Sequence, residues 1–169
     1  MLQTAKDIVS LSKDQVSEFN AFCEKYELVG KVKPDHICIK VSSKEIYETT
    51  RELFEFDSKY VYQSIISKRR ISVVGLTTVI PTVLGDISYL ELSDQKPDNS
   101  QDDRVDHIEI VSFTFSYDEL VSFLKDKGVE MKEVVRPHHS THDIYLASGF
   151  IVRLSHEMLV DKIKREEMV

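Results

Sequence analysis

Two stretches that begin alike decide how this chain folds: KPDHICIKV at residues 33–41 and VDHIEIV at residues 105–111. In both, the triplet Asp-His-Ile opens a run in which every second residue is apolar. Alternation with a period of two is typical of a β-strand with one buried face. The chain therefore has the same kind of strand start twice, and its histidines are His36 and His107.

The elements that follow each triplet come in the same order. After the first strand, Ser42 and Glu45 have the spacing of a helix capping box, and after the second, Ser116 and Glu119 have it again. Three strand-like runs follow each helix. They lie at residues 59–66, 70–76 and 86–92, and again at 129–135, 142–147 and 150–155. The order strand, helix, three strands is therefore predicted twice.

The predicted organisation is a single domain over residues 1–169, of the α+β class. Neither half can bury its sheet alone, so we expect two paired βαβββ modules to form an open barrel-like cleft with helices outside. The polar, acidic stretch between them is predicted to be a surface linker. The parts are a helical N-terminal extension (1–31), the first module (32–93), the linker (94–104), the second module (105–155) and a C-terminal helix (156–169).

Composition and charge argue against several classes of protein. An apolar share of 41% and a charged share of 30% are those of an ordinary soluble domain, and no apolar run is long enough to cross a membrane. A net charge of −7 argues against a nucleic-acid partner. Two cysteines form no disulfide framework, and the N-terminus lacks a signal-peptide pattern, so a cytoplasmic location is predicted. The basic cluster SKRR at residues 67–70 is expected to be a solvated hairpin turn.

The alternation also predicts which side chains leave the apolar core. His36, Cys38 and Lys40 share one face of the first strand, and His107 and Glu109 share one face of its repeat. Glu91 in SYLEL and Arg153 in FIVRLS likewise lie opposite apolar neighbours. If the sheets curl toward each other, these polar faces line one cleft. The groups brought together would be His36, Glu91, His107 and Arg153.

Three of these side chains are candidate metal ligands: His36, Glu91 and His107. Two neutral imidazoles and a carboxylate suit zinc, iron, nickel or manganese and leave positions open for water or substrate. A single strand histidine is more often a hydrogen-bonded structural residue. Two histidines at equivalent positions, with a carboxylate on a third strand, make the metal hypothesis about as strong as the structural one.

These motifs resemble a known family. The repeated βαβββ order with His, Glu and His resembles the vicinal oxygen chelate superfamily, the glyoxalase and dioxygenase fold. More closely, PDHICIK, ISYLEL and DHIEIV are similar to the bacterial YecM family, from about Val32 onward. The resemblance implies a divalent metal on His36, Glu91 and His107. It also implies an enzyme with a small anionic, oxygen-rich substrate and isomerase, lyase or dioxygenase chemistry. Superfamily members often pair, so a homodimer and a monomer both stay open.

The last strand departs from the superfamily pattern. A carboxylate there normally supplies the fourth ligand, but GFIVRL places Arg153 at that position. Arginine is always cationic and has no lone pair for a metal. Arg153 is therefore either a catalytic group that orients a substrate carboxylate or phosphate, or the partner of Glu91 or Glu109. In the second case it takes the place of the metal, and the chain is a non-catalytic small-molecule-binding protein.

Histidines also cluster in RPHHSTHD at residues 136–143. His142 begins a strand, and if it points inward it is a candidate general base or additional ligand, whereas His138 and His139 have no assigned role. An exposed polar loop is the more common outcome for such a stretch. The aspartates of the two triplets, Asp35 and Asp106, are expected at strand edges outside the cleft.

Overall fold

The structure is a computed structural model that describes residues 4–56, 58–66, 68–135 and 140–167, without the side chains of 59–61, 66 and 167. The predicted order strand, helix, three strands occurs twice in it. Among these residues the helices are α1 (Asp7–Leu11), α2 (Lys13–Lys25), α3 (Lys44–Phe56), α4 (Tyr117–Asp126) and α5 (Leu159–Glu167). The strands are β1 (Val32–Lys40), β2 (Ser58–Ile66), β3 (Arg69–Thr82), β4 (Gly85–Ser93), β5 (Arg104–Ser112), β6 (Lys132–Val134), β7 (Thr141–Tyr145) and β8 (Ile151–Ser155).

The chain divides into two compact units. Unit 1 contains His36–Pro81, Asp86–Asp106 and the residues up to Asp14, whereas unit 2 contains Gln15–Asp35, Thr82–Gly85 and the residues from His107 onward. The strand order is β2-β3-β4-β1 in unit 1 and β5-β8-β7-β6 in unit 2. The predicted α+β class with glyoxalase-like βαβββ modules is confirmed, and the single-domain organisation stays a prediction.

Register within each unit decides which side chains meet. In unit 1, β1 and β4 are parallel and Cys38 lies opposite Glu91. In unit 2, β5 and β8 are parallel and Glu109 lies opposite Arg153. The hairpin of β7 and β8 also places Asp143 opposite Arg153. Each last strand therefore brings an ionisable side chain beside the histidine-bearing strand.

The apolar faces of the strands form the core of each unit, as the alternation predicts. Ile37 and Leu90 are fully buried in unit 1, together with Phe54 of α3. Ile108 and Val152 are fully buried in unit 2. His36 and His107 are only 1% exposed, so the polar faces of β1 and β5 are buried as well.

The equivalent helices α3 and α4 begin with a serine cap. At α4 the predicted capping box is present, since Ser116 Oγ accepts from the Glu119 backbone N–H and Glu119 Oε2 accepts from the Ser116 backbone N–H. At α3 the predicted cap is wrong by one residue. Ser43 Oγ accepts from the Ile46 N–H at 3.1 Å. The Ser42 N–H, which a capping box would pair with Glu45, donates instead to Asp103 Oδ1 at 2.6 Å.

The stretch between the modules is exposed at residues 96–100 and 102–104, as predicted for a linker, but its other three residues are not. Asp94, Gln95 and Gln101 are buried. Gln101 Nε2 donates to the carbonyl oxygens of Val41 and Ser93, at 2.8 and 3.1 Å, next to the ends of β1 and β4. These hydrogen bonds from an amide side chain to strand-end carbonyls pack the loop onto the rest of unit 1.

Among the described residues, none of the helices combines the length and the apolar character that crossing a membrane requires.

Candidate metal and substrate site

His36 and Glu91 meet in unit 1 because parallel pairing sets β4 beside β1. His36 Nε2 lies 3.7 Å from Glu91 Oε2, which is longer than a hydrogen bond between these atoms. The other carboxylate oxygen, Oε1, accepts from Cys38 Sγ at 3.2 Å. The Glu91 carboxylate is thus directed by Cys38 on one oxygen and faces His36 with the other.

The separation of His36 and Glu91 fits two ligands of one metal ion. Zinc binds imidazole nitrogen at about 2.0–2.1 Å and carboxylate oxygen at about 2.0–2.2 Å, so a tetrahedral site sets the two atoms roughly 3.4 Å apart. The observed 3.7 Å is close to that value. The donor set is also of the kind that divalent transition metals accept. The distance between the two atoms is therefore compatible with their binding one cation.

Cys38 supports this pair as a neutral thiol. Burial raises the pKa of the Cys38 thiol well above its ordinary value, and the charges of Glu91 and Asp106 raise it further. A thiol with a raised pKa keeps its proton and is a poor nucleophile. Cys38 therefore acts as a hydrogen-bond donor to Glu91 and not as a nucleophile.

His107 has a different neighbour in unit 2. Its Nε2 lies 3.1 Å from Arg153 Nη1 and 3.7 Å from Glu109 Oε1. Since a guanidinium can only donate, the bond to Arg153 requires a neutral His107 that accepts at Nε2. That lone pair is the one a metal at Nε2 would use. Arg153 therefore competes for the atom through which the sequence predicts metal binding.

Arg153 is held by an acid that the sequence interpretation missed. Its Nε and Nη2 donate to the two oxygens of Asp143, at 2.7 and 3.0 Å, in a bidentate pair. Glu109, one of the expected partners, lies farther away at 3.5 Å from Nη1. The signal for Asp143 was present, because a hairpin turn at residues 147–149 places it opposite Arg153.

His142 does not have the inward orientation expected of a general base. It is adjacent to Asp143 in β7, so the two side chains leave opposite faces of the strand. Its Nδ1 is hydrogen-bonded to Tyr117 Oη at 2.8 Å, and burial raises the pKa of Tyr117 to about 12. The ring of Tyr117 also stacks on His156, with centroids 3.6 Å apart. His138 and His139 lie outside the described residues.

The aspartates of the two triplets are buried, which corrects the expectation that they lie at strand edges. Asp35 is 2% exposed, and its Oδ2 accepts from the Leu159 backbone N–H at 2.8 Å, at the start of α5. Asp106 is also 2% exposed and pairs with Lys40 Nζ at 2.6 Å and Arg104 Nε at 2.7 Å. Buried carboxylates keep their charge only with such partners, which alternation alone does not show.

Comparison with known proteins gives both a family and a fold. The family model described as YecM protein matches residues 7–156. A structural-genomics protein designated EC4020 is similar, with a TM-score of 0.63 and 19% identity, over 94% of this chain and 91% of that one. The hypothetical protein BH1468 from Bacillus halodurans has a TM-score of 0.50 and 18% identity, over 73% of this chain and 92% of that one.

A functionally described protein shares the fold at lower sequence identity. Hydroxyglutarate synthase from Oryza sativa, solved in complex with 2-oxoadipate, has a TM-score of 0.55 and 11% identity, over 89% of this chain and 79% of that one. No curated protein matches the chain in sequence. Likeness at these identities establishes the fold, and the family model covers most of the chain. The chain therefore belongs to the YecM family.

Proposed function

We propose that this protein is a metal-dependent enzyme of the vicinal oxygen chelate type that acts on a small anionic, oxygen-rich substrate. The observation that carries the proposal is the 3.7 Å separation of His36 Nε2 and Glu91 Oε2. This distance is too long for a hydrogen bond and close to that between two ligands of one cation. His107, the histidine at the equivalent position of the repeat, is the proposed third ligand.

Some residues of the chain would hold the ion, and others would orient the substrate. A bound zinc, iron, nickel or manganese ion would polarise a substrate oxygen. His36 and Glu91 hold the ion, and Cys38 fixes the rotation of the Glu91 carboxylate by donating to its other oxygen. Asp143 holds two nitrogens of Arg153, and Nη1 donates to His107 at 3.1 Å. We propose that Nη1 orients the acid group of the substrate when His107 binds the ion instead. The contact of His142 with Tyr117 supports no catalytic part for it here.

One observation favours a second candidate, a metal-free protein that binds a small anion without reaction. Arg153 Nη1 donates to His107 Nε2 at 3.1 Å, so a guanidinium occupies the lone pair that a metal would need. A fixed guanidinium also binds carboxylates and phosphates on its own. In this case Arg153 replaces both the fourth ligand and the ion.

Elemental analysis of protein purified without an affinity tag separates the two candidates. We expect close to one divalent metal per chain, either as purified or after reconstitution. His36→Ala and Glu91→Gln should weaken retention by at least the roughly 10- to 100-fold that loss of an outer-shell partner costs. His142→Ala, which removes an imidazole bonded to Tyr117, is the matched control and should retain metal.

Two results would contradict the metal-dependent proposal. The first is metal at trace level only, unchanged by reconstitution, which supports the metal-free binding protein. The second is full retention by His36→Ala, which shows that the ion binds elsewhere.

A further inference from the structure

Unit 1 contains a cavity of about 730 Å³ at the start of helix α3. Residues 42–44 line one side of it and residues 94–97 line another. It shares no lining residue with the His36, Cys38 and Glu91 group. Its volume lies within the range of about 300–1,000 Å³ that small-molecule sites occupy.

The lining of this cavity is strongly cationic, although the chain as a whole carries a net charge of −7. Its one acidic residue is Asp94, whose Oδ2 already accepts from Arg70 Nε at 2.8 Å. The cationic residues are Lys44, Lys68, Arg69, Arg70 and Lys96. A concave surface of one charge sign concentrates ligands of the opposite sign.

Three of these cations have charge to offer a ligand. Lys44, Lys68 and Arg69 form no ion pair with any carboxylate of the described residues. Arg69 donates through Nη1 to Gln101 Oε1, a neutral amide oxygen that leaves the guanidinium charge uncompensated. Helix α3, with 13 residues, begins at this cavity and adds the partial positive charge of its N-terminus.

Partly buried hydrogen bonds hold the walls of the cavity. Gln95 Nε2 donates to the carbonyl oxygen of Ser42 at 2.6 Å, which ties the loop to the start of α3. Arg70 is held by Asp94 and Glu48, and its guanidinium lies 4.3 Å from the centre of the Tyr47 ring. The loop and the Arg70 guanidinium therefore form a preorganised part of the surface, and ordering it costs a ligand less entropy than ordering mobile side chains.

We propose that this cavity binds a small molecule through a phosphate group. A phosphate carries close to two negative charges and several acceptor oxygens, so it can use Lys44, Lys68 and Arg69 together with a helix N-terminus. Ile65, which is 66% exposed, and Pro97 offer apolar surface to the rest of the ligand. The basic cluster SKRR is expected from the sequence to be a solvated turn, but its residues 68–70 contribute three of the five cations.

Isothermal titration of the full chain with pyrophosphate tests this proposal, with inorganic phosphate and acetate as further titrants. The protein is treated with a chelator beforehand, so that pyrophosphate binding to a metal at His36 and Glu91 does not contribute. We expect one pyrophosphate per chain, weaker binding of phosphate, none of acetate, and loss of affinity as salt rises. The outcome is independent of the metal-dependent proposal.

Two double variants with the same change in net charge locate the site. Lys44→Gln with Lys68→Gln should bind pyrophosphate about tenfold more weakly. Lys125→Gln with Lys132→Gln, outside the lining, should leave the affinity unchanged. Arg69→Gln tests the third cation, and circular dichroism checks that each variant is folded. Absence of binding by the unmodified chain, or equal losses in the two double variants, would overturn the proposal.

Discussion

His36 and His107 open equivalent strands of the two modules and each lies 3.7 Å from a carboxylate, but His107 also accepts from a guanidinium. His36 Nε2 faces a carboxylate of Glu91 at 3.7 Å, whereas His107 Nε2 accepts from the guanidinium of Arg153 at 3.1 Å. The difference arises on the last strand of each module, where β4 carries Glu91 and β8 carries Arg153. Both histidines thus belong to the repeated motif, but the side chain that each one faces is set by the strand paired beside it.

The second module also has more charged groups in contact at this position than the first. Arg153 contacts two acids and a histidine, and its side chain is only 11% exposed. Ion pairs at such depth are costly to break, because one charge then stays buried without compensation. The comparison therefore predicts that changes on β8 affect folding as well as function.

The largest expected effect comes from Arg153→Ala. The variant leaves Asp143, 3% exposed, as an uncompensated buried carboxylate, so we expect a loss of about 3–5 kcal/mol in the free energy of unfolding. Urea denaturation followed by circular dichroism measures it. Arg165→Ala breaks an exposed pair with Glu157 and is the control, with little change expected. Similar small losses in both variants would show that the Arg153 pair is not structural.

A smaller loss of stability is expected when the serine cap of α4 or α3 is removed, and it should differ between the two helices. Ser116→Ala removes both the acceptor for the Glu119 N–H and a contact of the Glu119 carboxylate, and we expect a loss of about 1 kcal/mol. Ser43→Ala removes an acceptor for the Ile46 N–H only and should cost less. Urea denaturation ranks the two, and Ser116→Thr, which keeps the hydroxyl, should recover most of the loss. The reverse ranking would contradict the role of the capping box.

The smallest effect is a pH dependence that only the second module should show. Hydrogen bonds from the Ser116 backbone and hydroxyl lower the pKa of Glu119 below its ordinary value of 4.5, whereas Ile46 stands at the corresponding position of α3. Because the folded pKa is the lower one, this stabilisation is complete above the unfolded pKa and is lost as pH falls through the folded pKa.

The measurement is the melting temperature of the unmodified chain and of Glu119→Gln, from neutral pH to about pH 3. The unmodified chain should melt higher near neutral pH, and the difference should disappear in acid. A difference that stays constant with pH would mean that the carboxylate charge does not contribute.

The alternation around the two triplets was sufficient to predict the strands and their apolar faces, because side chains alternate between the two faces of a strand. It did not predict that the polar faces of β1 and β5 are buried as well. The spacing of Ser116 and Glu119 likewise predicted the start of α4. At α3 the same rule gave the wrong serine. Ser42 and Ser43 both precede the helix, and the Ser42 N–H that the predicted capping box requires is bonded to Asp103, which is distant in sequence.

The features that could not be predicted from the sequence depend on contacts with distant segments of the chain. Gln95 and Gln101 stand in a polar stretch without periodicity, yet they are buried because strand-end carbonyls need donors there. Asp143 became the partner of Arg153 through the register of a hairpin, which composition and facing do not give. The roles of polar residues depend on tertiary contacts, whereas the burial of apolar residues can be predicted from their periodicity.

The hydrogen bond between Asp35 and the start of α5 has a consequence for how the chain acquires its fold during synthesis. Its two partners are 124 residues apart, and unit 2 combines residues 15–35 with residues from 107 onward. The Asp35 carboxylate therefore emerges from the ribosome long before the Leu159 N–H that it will accept from. Unit 2 cannot reach its native set of contacts until residue 159 has been added, so its formation is governed by non-local, slow-forming contacts.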